Sequence, residues 1–127
     1  QHILLIEDDA LGRQALQGLL QSWGYHVSVA RDAASACALL RDKPAPDFVI
    51  SDYRLPGPHH GIDAIHMLRA ACAQPVAACL ISGDTGTDIR QQTQAAQLTL
   101  LQKPVSPAKL RSLLRRALLD KQPGSPA

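Results

Sequence analysis

Short apolar runs with no polar residue between them constrain this chain more than any other feature. Ile3-Leu4-Leu5-Ile6 is continuous rather than alternating, and so are Phe48-Val49-Ile50 and Ala77-Ala78-Cys79-Leu80-Ile81. A strand that is apolar on both faces needs cover on both, the condition found in the middle of a parallel sheet flanked by helices. Val27-Ser28-Val29 and Leu98-Thr99-Leu100-Leu101 alternate more, which suits positions nearer the sheet edges.

Helical periods lie between the runs. Leu16, Leu19, Leu20 and Trp23 fall at i, i+3, i+4 and i+7, with Gly24 as a stop. Ala33, Ala36, Cys37 and Leu40 repeat the spacing after Asp32, a residue suited to an N-cap. Ile65, Leu68 and Cys72 mark a third helix after the breaker-rich Pro56-Gly57-Pro58. A fourth, near Thr87 to Ala96, has only Ile89, Thr93 and Ala96 on its stripe and should be the least firmly docked. The last has Ser106 as N-cap and Pro107 in the first helical position, then Leu110, Leu113, Leu114, Ala117 and Leu118. Five strands alternating with five helices imply an α/β fold with right-handed crossovers, a flavodoxin-like doubly wound parallel sheet in the order 2-1-3-4-5.

At roughly 150 residues per domain, 127 residues make one domain, expected over 1–121 with a disordered Pro- and Gly-containing tail over 122–127. Aromatic residues make up 3% of the chain, too few for a protein that stacks single-stranded bases on aromatic platforms. A net charge of +2 is too small to point to a polyanion. Neither nucleic acid nor membrane is therefore an expected contact. Cys37, Cys72 and Cys79 lack a metal-ligand rhythm and read as small buried apolar residues in a reducing compartment. No apolar run approaches membrane-spanning length and no signal peptide is recognisable, so a soluble, cytoplasmic piece is expected. The chain opens at Gln1 without an initiator Met and reads as a module of a longer parent, in which any membrane anchor is expected outside this piece.

In such sheets, sites form at the carboxyl ends of the strands. The first strand closes with Glu7-Asp8-Asp9, the third with Ser51-Asp52, the fourth with Ser82-Gly83-Asp84 and the fifth with Gln102-Lys103-Pro104. With strands one and three adjacent, Asp8 and Asp52 should face each other with Glu7 close by. Two unit charges about 4 Å apart repel by roughly 4 kcal/mol at an effective dielectric near 20, so such a cluster suits a hard divalent cation such as Mg²⁺. Lys103 adds a fixed positive charge and Ser82 a short hydroxyl, the parts that receive a phosphoryl group. Taken singly, each has a plainer role: Asp8 or Asp9 as a helix cap, Asp52 as a turn residue, Ser82-Gly83 as a loop, Lys103-Pro104 as a turn. Their joint placement at four strand ends favours the site.

Ile-Glu-Asp-Asp at 6–9, Ser-Asp-Tyr-Arg-Leu-Pro at 51–56, Ile-Ser-Gly at 81–83 and Lys-Pro at 103–104 resemble the receiver domains of two-component response regulators, over roughly Ile3 to Leu119. The resemblance implies that Asp52 is phosphorylated by a phosphohistidine on a histidine kinase or a histidine phosphotransfer protein. It implies that Asp8 holds Mg²⁺ directly, Glu7 through water, and the main-chain carbonyl of Arg54 as a further ligand. Ser82 would move to bond the phosphoryl group, Lys103 would pair with it, and the Lys103–Pro104 bond would be cis. The domain would then catalyse its own phosphotransfer and dephosphorylation. Leu100 departs from the pattern, standing where receivers usually carry a Tyr or Phe that swings inward. His59 and His60, in a Pro56–Gly61 loop slightly longer than the common form, read as solvated. Asp-Tyr-Arg-Leu-Pro-Gly, Ile-Ser-Gly-Asp-Thr and Leu-Gln-Lys-Pro-Val-Ser-Pro look similar to C-terminal receivers of hybrid sensor histidine kinases. Arg111, Arg115 and Arg116 form a basic stripe that reads as a solvated face, though it would also suit an acidic partner or a dimer mate.

Other classes compete. One is the receiver of a stand-alone or DNA-binding regulator, and another a pseudo-receiver that binds without phosphotransfer. A phosphohydrolase would want an acid/base carboxylate two residues beyond Asp52, where Arg54 stands, and no GxGxxG follows the first strand for a dinucleotide.

Overall fold

A computed structural model of the chain describes residues 1–84 and 86–119; the expected domain end at 121 and the tail over 122–127 lie outside them. Five strands, β1 (His2–Ile6), β2 (His26–Ala30), β3 (Phe48–Asp52), β4 (Ala77–Ser82) and β5 (Thr99–Gln102), alternate with five helices. The helices are α1 (Ala10–Ser22), α2 (Ala33–Leu39), α3 (Gly61–Cys72), α4 (Thr87–Ala95) and α5 (Pro107–Leu119). All pairings are parallel and the order is β2-β1-β3-β4-β5, as expected from the runs.

The unbroken apolar runs are explained by cover on both sides. Leu4, Ile6, Val49 and Leu80 face a layer with Ala36, Ile65, Leu68 and Ile89 of α2, α3 and α4. Ile3, Leu5, Phe48, Ile50, Cys79 and Ile81 face Leu20 of α1 and Leu110, Leu114 and Leu118 of α5. Each fully buried aliphatic side chain contributes about 2 kcal/mol, so the alternating sides of β1 and β3 anchor two layers at once.

Caps lie where the sequence put them. Asp9 accepts from the Gly12 amide at 2.8 Å and starts α1, and Gly24, at φ 92°, turns the chain out beyond Trp23. Asp32 and Ser35 form a reciprocal capping box at α2. Ser106 Oγ accepts from the Lys109 amide at 3.3 Å ahead of Pro107. On α4 the inward residues are Ile89 and Thr93.

Two expectations need correction. Only Cys79 is buried; Cys37 and Cys72 are half-exposed, because each sits at the margin where α2 and α3 meet rather than beneath them. His60 is not a freely solvated loop residue, since its ring stacks on Tyr53 with centroids 5.2 Å apart and planes 8° from parallel.

Candidate functional site

Parallel pairing brings the ends of β1 and β3 side by side, with Ile6 opposite Ser51, and β5 ends beside β4. Glu7, just past β1, is 1% exposed, and Asp52, the last residue of β3, is 9% exposed. Both turn toward Lys103: its Nζ donates to Asp52 Oδ2 at 2.9 Å and lies 3.1 Å from Glu7 Oε2. The Lys103–Pro104 peptide is cis, as expected, and the Lys103 amide donates to the Ser82 carbonyl at 2.9 Å, fixing β5's exit against β4.

The electrostatics follow from crowding. Burial and the Asp52 charge push the Glu7 carboxyl above its ordinary range, against the lowering pull of Lys103. Burial works against the Lys103 ammonium, but the carboxylates of Asp52 and Glu7 outweigh it and the net shift is upward. Glu7 Oε1 accepts from the Asp9 amide at 3.1 Å. Glu7 Oε2 is buried with no aligned hydrogen-bond donor; the ammonium is at ion-pair distance without hydrogen-bond alignment.

The remaining expected residues are distributed around this centre. Asp8 is exposed at the rim, so the carboxylate that shares the ammonium with Asp52 is Glu7. Among the described residues, no group of three or more His, Cys, Asp or Glu side chains stands close enough to hold a metal by itself. The donors nonetheless suit a hard divalent cation: they are oxygens, and one of them, Glu7 Oε2, is buried with no aligned hydrogen-bond donor. Ser82 is 1% exposed, and its hydroxyl is turned into its own loop, donating to the Asp84 carbonyl at 2.6 Å. Arg54 is exposed and its guanidinium pairs with Asp84 at 3.1 Å across the mouth.

Sequence reasoning missed the roles of Gly61, Tyr53 and His60 beside Asp52. The main chain of Gly61 lies against Asp52: a Cβ there would meet the Asp52 carbonyl at 2.3 Å and Leu80 Cδ2 at 2.8 Å. The need here is for space, not for an unusual φ. Its amide donates to the Tyr53 carbonyl at 2.7 Å, closing the loop. Tyr53, the residue after Asp52, is 8% exposed, stacks on His60 and donates its hydroxyl to Gln92 Oε1 on α4. The available signal was a polar aromatic at the end of an apolar strand, and a glycine opening a helix.

Two clefts reach the centre. One, of about 340 Å³, is lined by Glu7, Gly12, Leu16, Leu19, Lys103 and Val105, and Leu11 stands 78% exposed on the same helix. Another, of about 620 Å³, passes Leu100 and carries Arg90, Lys103 and Lys109.

Known proteins are similar to this chain in sequence and in fold. The family described as the response regulator receiver domain matches residues 3–115. The DNA-binding response regulator MtrA of Mycobacterium tuberculosis is 32% identical over 120 residues, which span 91% of this chain and 51% of that protein. The chain thus spans about half the length of such relatives. The sensor histidine kinase AruS of Pseudomonas aeruginosa is 46% identical over 55 residues, 43% of this chain and 5% of that protein. Among solved structures, the receiver domain of the P. aeruginosa sensor histidine kinase PA1611, with a magnesium ion coordinated in its active-site cleft, superposes with a TM-score of 0.78. It is 27% identical and the match covers 93% of this chain and 97% of that one. With the family match over residues 3–115 and the parallel strand order in agreement, the chain belongs to the response regulator receiver domain family.

Proposed function

We propose that Asp52 is the phosphoacceptor of this receiver and that Glu7, Asp8, Ser82 and Lys103 serve the transfer. The observation that carries the reading is the ammonium of Lys103 held against both Asp52 and Glu7 at the carboxyl edge of the sheet. One Asp52 oxygen attacks the phosphorus of a phosphohistidine, the P–N bond breaks, and its electron pair returns to the imidazole nitrogen. Lys103 faces the charge that builds on the transferring oxygens. Asp8, Asp52 and the main-chain carbonyl of Arg54 would hold Mg²⁺, with Glu7 contributing through water. When bound, the ion neutralises negative charge on the phosphoryl group. The arriving group then offers the Ser82 hydroxyl a stronger acceptor than the Asp84 carbonyl it now uses.

The donor is a histidine kinase or histidine phosphotransfer protein. The apolar cleft lined by Leu16, Leu19 and Val105, beside exposed Leu11, opens next to Glu7 and Lys103 and suits its docking helix. Leu100 has no ring to swing; the Tyr53–Gln92 bond gives α4 a separate tie to the acceptor strand. For the parent, the first reading is a hybrid sensor histidine kinase, supported by the stronger local identity to AruS; the alternative, a DNA-binding regulator, is supported by the longer match to MtrA.

Incubation with acetyl phosphate and Mg²⁺ should add one phosphoryl group, mapped to Asp52 by mass spectrometry, and Asp52→Asn should add none. A protein that stays unmodified while it binds its kinase would be a pseudo-receiver.

A further inference from the structure

We propose that Cys37 and Cys72 are a thiol pair that closes into an intramolecular disulfide between α2 and α3 by exchange with a low-molecular-weight disulfide. The pair stands apart from the carboxylates: α3 begins at Gly61 against the Asp52 main chain and ends at Cys72, at the opposite edge of the sheet. Cys37 and Cys72 both pack on the margin of the same apolar layer. Both line one cleft of about 510 Å³, together with Arg41, Asp42, Lys43 and Pro44. Both are half-exposed, so a small reagent reaches them from the cleft. Burial raises the Cys37 thiol above its ordinary range, and the Cys72 thiol adds to the rise. Arg41 and Lys43 at the mouth suit a disulfide bearing carboxylates, of the glutathione type.

The exchange balances in two steps. One cysteine, as thiolate, attacks the small disulfide, whose S–S bond breaks and releases one small thiol that takes up the proton. The second cysteine then attacks the mixed disulfide at the protein sulfur, releasing the second small thiol with the second proton. Two protein thiols and one small disulfide become one protein disulfide and two small thiols. Cys79 serves as an internal control: wholly buried, with its thiol pushed up to about 12, it should not react.

The full chain, incubated with oxidised glutathione and digested with trypsin without reduction, tests this. Cys37 falls in peptide 32–41, while Cys72 and Cys79 share peptide 70–90, so fragmentation between 73 and 78 is needed to locate the bond. The expected product is a cross-linked peptide pair joining Cys37 to Cys72 that has lost two hydrogens and is split by dithiothreitol, with Cys79 reduced. Cys72→Ser and Cys37→Ser should each leave the surviving thiol as a stable mixed disulfide. Persistent mixed disulfides on the unsubstituted chain, cross-linked dimers, a bond to Cys79, or no reaction would each overturn the proposal.

Discussion

Lys103 balances two carboxylates with one charge, and it does so from a position where its side chain is 34% exposed. Replacing it by Met strands Glu7 and Asp52 beside each other. Since solvent reaches the ammonium, the cost should be about 1 kcal/mol rather than the larger loss seen in fully buried pairs. Mg²⁺ should restore part of that loss, so its addition should raise the melting temperature of Lys103→Met more than that of the unsubstituted chain. An equal or smaller rise would mean the carboxylates are not a shared cation site. Gly61→Ala tests a purely steric claim: a methyl 2.3 Å from the Asp52 carbonyl should destabilise by about 3 kcal/mol, read as a lower urea midpoint at constant slope. The strand-end residues Glu7, Asp52, Ser82 and Lys103 were legible because chain order and strand position alone bring them to one edge. Gly61, Tyr53 and His60 were not, because their roles depend on how the Pro56–Gly61 loop folds back, a geometry set by tertiary closure rather than by local pattern.

The strands were legible as elements because continuous and alternating apolar runs report different cover, and the helices because caps and stripes agree at Asp32, Gly24 and Ser106. What the pattern could not convey is the tie between elements that comes from one polar bond. α4 turns only Ile89 and Thr93 inward, yet it is also held by Tyr53 through Gln92. Tyr53→Phe keeps the ring and the stacking on His60 but removes the donor. A net loss of about 1 kcal/mol for one hydrogen bond should speed amide exchange in α4 about fivefold, with α5 unchanged. If α4 and α5 respond alike, the hydroxyl is not what holds α4. Beryllofluoride with Mg²⁺ should shift the amide signals of α4 more than those of α2; even shifts across both helices would argue against α4 as the responding element.

Across the whole molecule, both faces of the sheet are closed by helices, and no helix among the described residues is long and apolar enough to cross a membrane. At the edge away from the carboxylates, His2 bonds Ser28 Oγ through Nε2 at 2.7 Å and faces the His26 ring. Burial lowers its pKa, as do His26, the chain's amino terminus and Lys43, against the opposing charge of Asp47. A histidine with a lowered folded pKa takes up protons more readily in the unfolded chain, so stability should fall as pH drops below 6.5 and level off below the folded value. His2→Gln should flatten that part of the melting curve's pH dependence; an unchanged slope would assign it to other groups. The fold class was readable from patterning alone because the sheet's two-sided burial leaves its mark in every central strand.

α3 leans on the peptide of Asp52 at its first residue and ends at Cys72. A helix of that length is a strut about 18 Å long, too stiff to shift at one tip only. If Asp52 is the acceptor and the two thiols close as proposed, tightening the far end of this strut would press on the Asp52 backbone, and a chemical event at either pole would become mechanical news at the other.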